Sequence, residues 1–353
     1  MKIGIVYDVI YPYVKGGVEK RNWEIARRLA KKHEVHIFGM KFWKGEDIIK
    51  KEGVFLHGVC TPKKLYRNEG RRSIKQALYF SLHLLKPLMK TELDVIDCSN
   101  FPYFPLFVCK LKRTPLVATW HEVWGRKYWL EYLGWRGDIG YSIEWLASKL
   151  PDKIISVSEH TQTNLHNVLG RKSDVAHNGI SVQEISKIKA KRDKNRIITV
   201  GRLVPFKNVD LIIKAMPDVL KKNKKAHLVI IGEGPERERL EKLAIGLPVE
   251  FKNFVKEHNT LLKEIKSSGV FVTQSSREGF GIIVLEALAC GTAVVIPQYL
   301  SEFPYAKMCM IANGEMLVEA ISNPKKANPE SVKDFDWDFI ADEMEDIYRG
   351  VVR

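Results

Sequence analysis

Cysteine is scarce and scattered. The 353-residue chain has five, Cys60, Cys98, Cys109, Cys290 and Cys309, with no CxxC pair among them. Neither a disulfide framework nor a zinc site follows from that spacing. No run reaches the roughly 18 to 20 uninterrupted apolar residues that a membrane span requires. The N-terminal MKIGIVYDVIYPYV lacks a small-residue cleavage site, so it reads as a buried strand and predicts a cytoplasmic protein. Internal repeats of 20 to 50 residues and low-complexity tracts are also missing. Acidic charge is short in one half only: residues 1–178 hold 30 Lys+Arg against 18 Asp+Glu, a net of +12, whereas residues 179–353 hold 27 against 24. A basic half implies an acidic partner, which could be nucleic acid, an anionic membrane surface or a phosphate-bearing substrate. Charge alone does not choose among them.

What is present is one pattern stated twice. With 45% hydrophobic residues, the chain is too long for one compact core and fits two domains. Short β-branched runs (KIGIVY, HEVHIF, DVIDCS, PLVATW, KIISVS) alternate with amphipathic segments such as GVEKRNWEIARRLAKK. The polar stretch SVQEISKIKAKRDKN after HNGI shows no strand alternation and reads as a linker. Strand-like runs then return as NRIITVG, HLVIIG, VEF, GVFVTQ and TAVVIP, with helices near 208–221, 235–244, 257–267 and 282–290. The expected architecture is α/β, two Rossmann-like doubly wound domains facing one another across a cleft. Ligands of such sheets bind at the carboxyl ends of the strands, so the loops there carry the functional candidates.

One of these loops is SREGFG, which follows GVFVTQ and leads directly into the helical run IIVLEALACG. Its backbone N–H groups and the positive helix end make an anion site. Gly279 and Gly281 permit close approach of ligand to backbone. Glu278 and Glu286 can accept hydrogen bonds from ligand hydroxyls, the first from the loop and the second from one turn into the helix. The bland alternative is a first-turn glutamate favoured by the dipole and a solvated mid-helix glutamate. A second basic element, GRLVPFKN, follows NRIITV and places Arg202 and Lys207 where a diphosphate could be neutralised.

Together GRLVPFKNVDLI, VIIGEGPERERLEKLA and EGFGIIVLEALACGTAVV resemble the second domain of the retaining, nucleotide-sugar-dependent glycosyltransferases of family 4, which have the GT-B fold. The two glutamates match that family's E-x7-E motif. In the first half, YPYVKGGVEKRNWEIARRLAKKHEVHIF is similar to its glycine-containing first loop and helix, WHEVW to its histidine loop, SVSEHT to its serine-bearing strand end and HNGI to its Asn-Gly before the linker. The resemblance covers about residues 1 to 296 and the final helix. It implies an acceptor-binding domain over 1–178, a nucleotide-sugar-binding domain over 179–335, and a terminal helix over 336–353 that packs back on the first.

By the same resemblance, Glu286 would hold the donor ribose and Glu278 the hydroxyls of the transferred sugar. Arg202 and Lys207 would bind the diphosphate, assisted by the backbone from Phe280 to Ile282, beside Gly279 and Gly281. Gly16 and Gly17 would bring the first loop against phosphates and acceptor, and His121 would touch the donor sugar near the reacting carbon, with Trp120 and Trp124 as a sugar-facing wall. Asn253 and Phe254 would meet the base, Asn253 standing where glycine is common and tolerating a left-handed backbone. A diphosphate leaving group needs positive charge more than a strong acid. A glycosidase would instead need a second carboxyl group facing Glu278, and none is convincing. The DWD at Asp336 to Asp338 reads as a helix cap with a first-turn acid, so no metal or other cofactor is expected. After TAVVIP the family's Gly-Gly-x-x-Glu loop is missing; QYLSEFPYAKMCMIANGEMLVEAI stands there, which leaves Glu302 without an assigned role.

The expected activity is hexosyl or N-acetylhexosaminyl transfer from a UDP or GDP sugar to a sugar or lipid-linked acceptor, as in polysaccharide or glycolipid synthesis. Residues 63–90 couple basic residues to an apolar helical face, and WHEVWGRKYWLEYLGWRGDIGYSIEW is dense in Trp and Tyr, a combination suited to peripheral contact with an anionic membrane. Other readings stay open: a sugar-nucleotide epimerase or phosphorylase on the same fold, or a non-enzymatic basic protein binding nucleic acid or membrane. No recognised nucleic-acid motif supports the last.

Overall fold

The computed structural model of the protein describes residues 1–63, 73–255 and 257–352. Residues 64–72, part of the basic stretch read at 63–90, lie outside them. Two compact units emerge, Met1–Asn178 joined by the C-terminal helix Trp337–Val352, and Gly179–Asp336.

The first unit is built on eight strands: β1 (Lys2–Val6), β2 (Glu34–Gly39), β3 (Ile48–Lys51), β4 (Val54–Gly58), β5 (Val95–Ser99), β6 (Leu116–Trp120), β7 (Lys153–Ser156) and β8 (Asp174–Val175). Their order is β3-β4-β2-β1-β5-β6-β7-β8, parallel apart from the antiparallel β3–β4 pair. β5 and β6 are buried at every position, as parallel strands covered on both faces must be, which explains their unbroken apolar runs. The β3–β4 hairpin turns at Glu52 and Gly53, both at positive φ (47° and 86°). Sequence reading missed it because Glu-Gly is a weaker signal than Asn-Gly for such a turn. Helices Ile74–Lys90, Phe104–Lys110 and Gly137–Ala147 pack side by side on one face of the sheet. Gly17–Leu29 and Trp337–Val352 cover the other.

The C-terminal helix belongs to the first unit because its apolar stripe, Trp337, Ile340, Ala341, Met344 and Tyr348, fits helical spacing and is buried there. A polar network sits under it. Tyr348 donates to Asp97 Oδ2 at 2.6 Å and Thr119 to Asp97 Oδ1 at 2.9 Å, while the fully buried Arg21 donates to the His177 carbonyl and to Asn178 Oδ1 at 3.1 Å. Burial pushes the Asp97 carboxyl up and the Arg21 guanidinium down, each opposed by the other's charge. The acids of the DWD triplet serve the structure: Asp336 accepts from the Val182 N–H at 3.0 Å, and Asp338 pairs with Arg28 at 2.5 Å.

The second unit has six parallel strands, β9 (Asp193–Val200), β10 (His227–Ile231), β11 (Val249–Lys252), β12 (Ser268–Val272), β13 (Ala293–Ile296) and β14 (Met310–Ile311), in the order β11-β10-β9-β12-β13-β14. The chain starts in the middle, works outward to β11, returns to β12 beside β9, and works outward again. Strand order therefore reverses between β9 and β12, where doubly wound sheets open a crevice. The linker reading is corrected at both ends: Val182–Lys187 is a short helix, and β9 already begins at Asp193, whose N–H donates to the Ser267 carbonyl at 2.8 Å. Three polar residues at the strand's exposed start had hidden it.

Removing the Tyr348 hydroxyl would leave a buried carboxylate short of a donor. Tyr348→Phe is expected to cost about 1–3 kcal/mol, read as a lower urea midpoint with an unchanged slope; an unmoved midpoint would show that Asp97 does not depend on it.

Candidate functional site

In the second unit, four loops at the carboxyl ends of β9, β10, β11 and β12 are tied together, mostly through backbone. The Leu203 N–H donates to the Glu233 carbonyl (2.8 Å) and the Glu236 N–H to the Leu203 carbonyl (3.0 Å). Gly232 (φ 151°) and Gly234 (φ 158°) are required here: a Cβ on either would lie 1.9 Å from the Gly201 carbonyl oxygen or 2.2 Å from that of Leu203. The Phe254 N–H meets Glu233 Oε1 at 3.3 Å. On the β12 side, the Ser276 N–H donates to the Phe206 carbonyl (2.9 Å), and Asn208 Nδ2 to that of Gln274 (2.9 Å). Sequence reading quoted the β10 loop without assigning it a role; its two glycines, in Gly-x-Gly spacing after a strand, were the signal.

These ties bring together most of the residues singled out in this half. Lys207 and Glu278 form an ion pair in which both side chains are largely shielded from solvent. The Arg202 residue is exposed, and its guanidinium makes no ion pair among the described residues. It lines a recess with Lys207, Thr199, Gly201, Leu203 and Thr273. Gly281 (φ 78°) precedes helix Ile282–Ala289; it gives no side-chain cap, so the first two N–H groups, of Ile282 and Ile283, have no acceptor within the helix, while that of Val284 donates to the Gly281 carbonyl at 2.9 Å. Phe280 is buried, so only its backbone is available to a ligand. Glu286 is 3% exposed and lies 3.0 Å from His258 Nε2, which corrects the alternative of a solvated mid-helix glutamate. Asn253 and Phe254 are exposed at the end of β11. The left-handed backbone allowed for Asn253 is not adopted; Asn208 (φ 49°) is the asparagine that takes it, before helix Val209–Lys222.

The segment lacking the Gly-Gly pair has a different job. Tyr305 donates to the Phe280 carbonyl at 2.6 Å, and burial holds its phenol well above the ordinary value, so it remains a donor. The Tyr299 hydroxyl lies 3.4 Å from the Glu278 carbonyl. Two tyrosines thus brace the turn from 278 to 281, while Glu302 is exposed.

In the first unit, Gly16 caps helix Gly17–Leu29, and both glycines are exposed. A Cβ at Gly16 would sit 2.6 Å from Glu19 Oε2. The His121 N–H donates to Asn100 Oδ1 (3.1 Å), its Nε2 faces Ser99 Oγ (3.4 Å), and Asn22 Nδ2 reaches the same hydroxyl (3.2 Å). Burial, with Arg21 nearby, pushes the imidazole down to about 3, so it is neutral at physiological pH and acts as a polar contact rather than a cation.

Trp120 corrects the expected wall: it is fully buried among the residues under the helix layer. The aromatic surface is made instead by Trp124, stacked on Phe101 at 4.9 Å and flanked edge-on by Tyr128 and Tyr132. Glu144 holds it in place. This carboxylate, 0% exposed, accepts from Tyr103 Oη (2.9 Å), the Trp124 and Gly125 N–H groups (2.8 and 3.0 Å) and Trp129 Nε1 (2.8 Å), so it caps helix Gly125–Leu133 from a neighbouring helix. Burial pushes its pKa up against those four donors. Nothing local in IEWLA marks this residue, because its donors lie 15 to 41 positions away.

A family model described as glycosyl transferases group 1 matches residues 181–302, and one described as Glycosyltransferase Family 4 matches residues 15–184. The chain is 35% identical over 176 residues to an uncharacterised glycosyltransferase of Methanocaldococcus jannaschii, covering 44% of this chain and 45% of that protein. It is 38% identical over 100 residues to a GDP-mannose-dependent alpha-(1-6)-phosphatidylinositol dimannoside mannosyltransferase of Mycobacterium tuberculosis, covering 28% and 26%. These matches span less than half the length of either relative. Sucrose-phosphate synthase from Thermosynechococcus elongatus superposes with a TM-score of 0.79 at 17% identity, over 99% of this chain and 98% of that one. A trehalose-6-phosphate synthase gives 0.79 at 14% identity, over 99% of each. At such identities the likeness establishes the fold, GT-B.

Glu144→Leu would strand four buried donors, whereas Glu144→Gln keeps one acceptor. The leucine variant is expected to lose about 3–5 kcal/mol and to shift the tryptophan emission that Trp124 and Trp129 contribute, with the glutamine variant between it and wild type. Equal stability of all three proteins in urea would refute the assignment.

Proposed function

We propose that this chain, which belongs with the family 4-like glycosyltransferases of GT-B fold, moves a hexose or N-acetylhexosamine from a nucleoside diphosphate sugar to a sugar or lipid-linked acceptor. The observation that carries the reading is the gathering of Arg202, Lys207, Glu278 and the first turn of helix Ile282–Ala289 where strand order reverses. Positive groups on loops fixed by backbone contacts suit a departing diphosphate, because they offer charge to the oxygen on which negative charge develops. In this reading Arg202 and Lys207 take the diphosphate, Glu286 the ribose, Asn253 and Phe254 the base, and Glu278 the hydroxyls of the transferred sugar. In the first unit, Gly16, Gly17 and the neutral His121 are the residues assigned to sugar and acceptor. Configuration is retained, with the leaving phosphate accepting the proton of the incoming hydroxyl, and no metal is needed for the charge that Arg202 and Lys207 supply.

UDP and GDP both suit the site. One relative's name specifies GDP-mannose, and one similar structure is described as bound with UDP-2-fluoro glucose. We place the reaction in the cytoplasm, with peripheral contact between the basic first unit and an anionic membrane where the acceptor is lipid-linked.

The Lys207–Glu278 pair makes a specific prediction. A bare diphosphate must compete with Glu278 for Lys207, whereas a sugar donor regains the carboxylate through its hydroxyls. Glu278→Ala is therefore expected to bind UDP or GDP about two- to fivefold more tightly but its sugar derivative more weakly, by titration calorimetry in EDTA. If both ligands weaken alike, Glu278 does not compete for Lys207. Stabilisation by none of UDP, GDP, ADP or dTDP in a thermal-shift panel would overturn the proposed function itself.

A further inference from the structure

We infer that the outer face of the helix layer in the first unit, centred on helix Ile74–Lys90, is a docking surface for an anionic lipid bilayer. This deepens the proposed function by assigning the membrane contact to one surface, and it rests on that reading only for its purpose, not for its physical basis.

The helix is apolar twice over. Ala77, Phe80, Leu84 and Leu88 are buried and already satisfy the core. Ile74, Leu78, Leu82, Leu85 and Met89 recur at spacings of four, four, three and four, so they form one stripe, and all are exposed, Leu82 at 75%. A helix that only had to cover the sheet would carry polar side chains on that outer face. Its charged residues are Lys75, Lys86 and Lys90, with no Asp or Glu anywhere in its length. Lysine stems can lie along an apolar surface with the ammonium groups reaching phosphate oxygens.

The neighbouring elements extend the same character. Leu111, which ends helix Phe104–Lys110, is 62% exposed between Lys110 and Lys112. Beside it, Lys149 Nζ lies 3.4 Å from the centroid of the exposed Trp145 ring, and Arg136 stands 5.1 Å from that of Trp135. Of the exposed acids nearby, Asp138 is held by Arg126 at 2.6 Å and Asp152 by Lys110 at 2.7 Å. Half of the large apolar side chains exposed among the described residues lie in these few elements. Patches this extensive mark an interaction surface.

The charge pattern selects the occupant. A second copy docking face to face would set Lys75, Lys86 and Lys90 against their own equivalents, a like-charge arrangement that opposes association. An anionic bilayer complements Lys75, Lys86 and Lys90 and accepts the leucine stripe and the tryptophan rings at headgroup depth. Among the described residues no helix is long and apolar enough to cross a membrane, so the geometry is that of a helix lying in the interface.

The test is flotation of the full chain with vesicles of equal phosphatidylglycerol and phosphatidylcholine, against phosphatidylcholine alone. Wild type should float with the anionic vesicles and be released by salt. The doubles Leu82→Glu with Leu85→Glu, and Lys86→Glu with Lys90→Glu, should each bind about tenfold less or weaker still, while keeping the wild-type thermal shift with nucleoside diphosphate, which shows that they are folded. Wild type that binds nucleoside diphosphate but ignores anionic vesicles would overturn the surface and leave the function standing. Flotation without nucleotide binding would do the reverse. A wild-type dimer that Leu82→Glu converts to a monomer, with no lipid binding in either, would make the face a self-interface and also overturn the inference.

Discussion

Backbone contact between loops is the constraint from which the second unit's site follows. Where β9 and β12 lie side by side, their connections leave in opposite directions, and the space between them would be empty unless the loops themselves filled it. Gly232 and Gly234 let the β10 loop press onto the carbonyls of Gly201 and Leu203, at separations that admit no side chain. The β9 loop is thereby fixed from one side, and from the other by Ser276 and Asn208. Arg202, Lys207 and Glu278 inherit their positions from that arrangement. The backbone beneath these charged groups is fixed before a ligand arrives, the arrangement that the proposed stabilisation of a leaving group requires.

The first unit reaches the same end with buried carboxylates. Asp97 gathers Tyr348 and Thr119 under the C-terminal helix, with Arg21 nearby, while Glu144 gathers four donors behind the aromatic surface of Trp124. An unpaired carboxylate at either place would be costly, so each is satisfied by hydrogen bonds from several elements at once. Such networks are sensitive to the position of every member. That sensitivity makes them good devices for holding a loop such as the one from His121 to Trp124, whose own residues are too few to hold themselves.

Much of this was legible in the chain, and the exceptions share a cause. Strands buried on both faces show as apolar runs, so β1, β2, β5, β6, β7 and the centre of the second sheet could be read directly. The β3–β4 hairpin and the start of β9 could not, since an edge or exposed strand carries polar residues that look like loop. Arg202, Lys207, Glu278 and Glu286 were visible because a glycine-broken loop between strand and helix has a local signature. Trp120 was misread as a sugar-facing residue because a tryptophan beside a histidine at a strand end can point either way, and only the register of β6 sends it inward. Glu144, Tyr299 and Tyr305 had no signature at all.

The order of apolar and polar residues along the chain by itself determined two α/β units and the loops that hold the candidate residues, because strand and helix periods and glycine turns are local properties. Tertiary structure alone decided which side chains are neighbours: that Lys207 meets Glu278 across 71 positions, that His121 is neutral, that Tyr305 braces the turn of Phe280, and that helix Ile74–Lys90 is left with a second apolar face. Pairing, desolvation and exposure depend on what packs nearby in space, and distance along the chain carries almost no information about that.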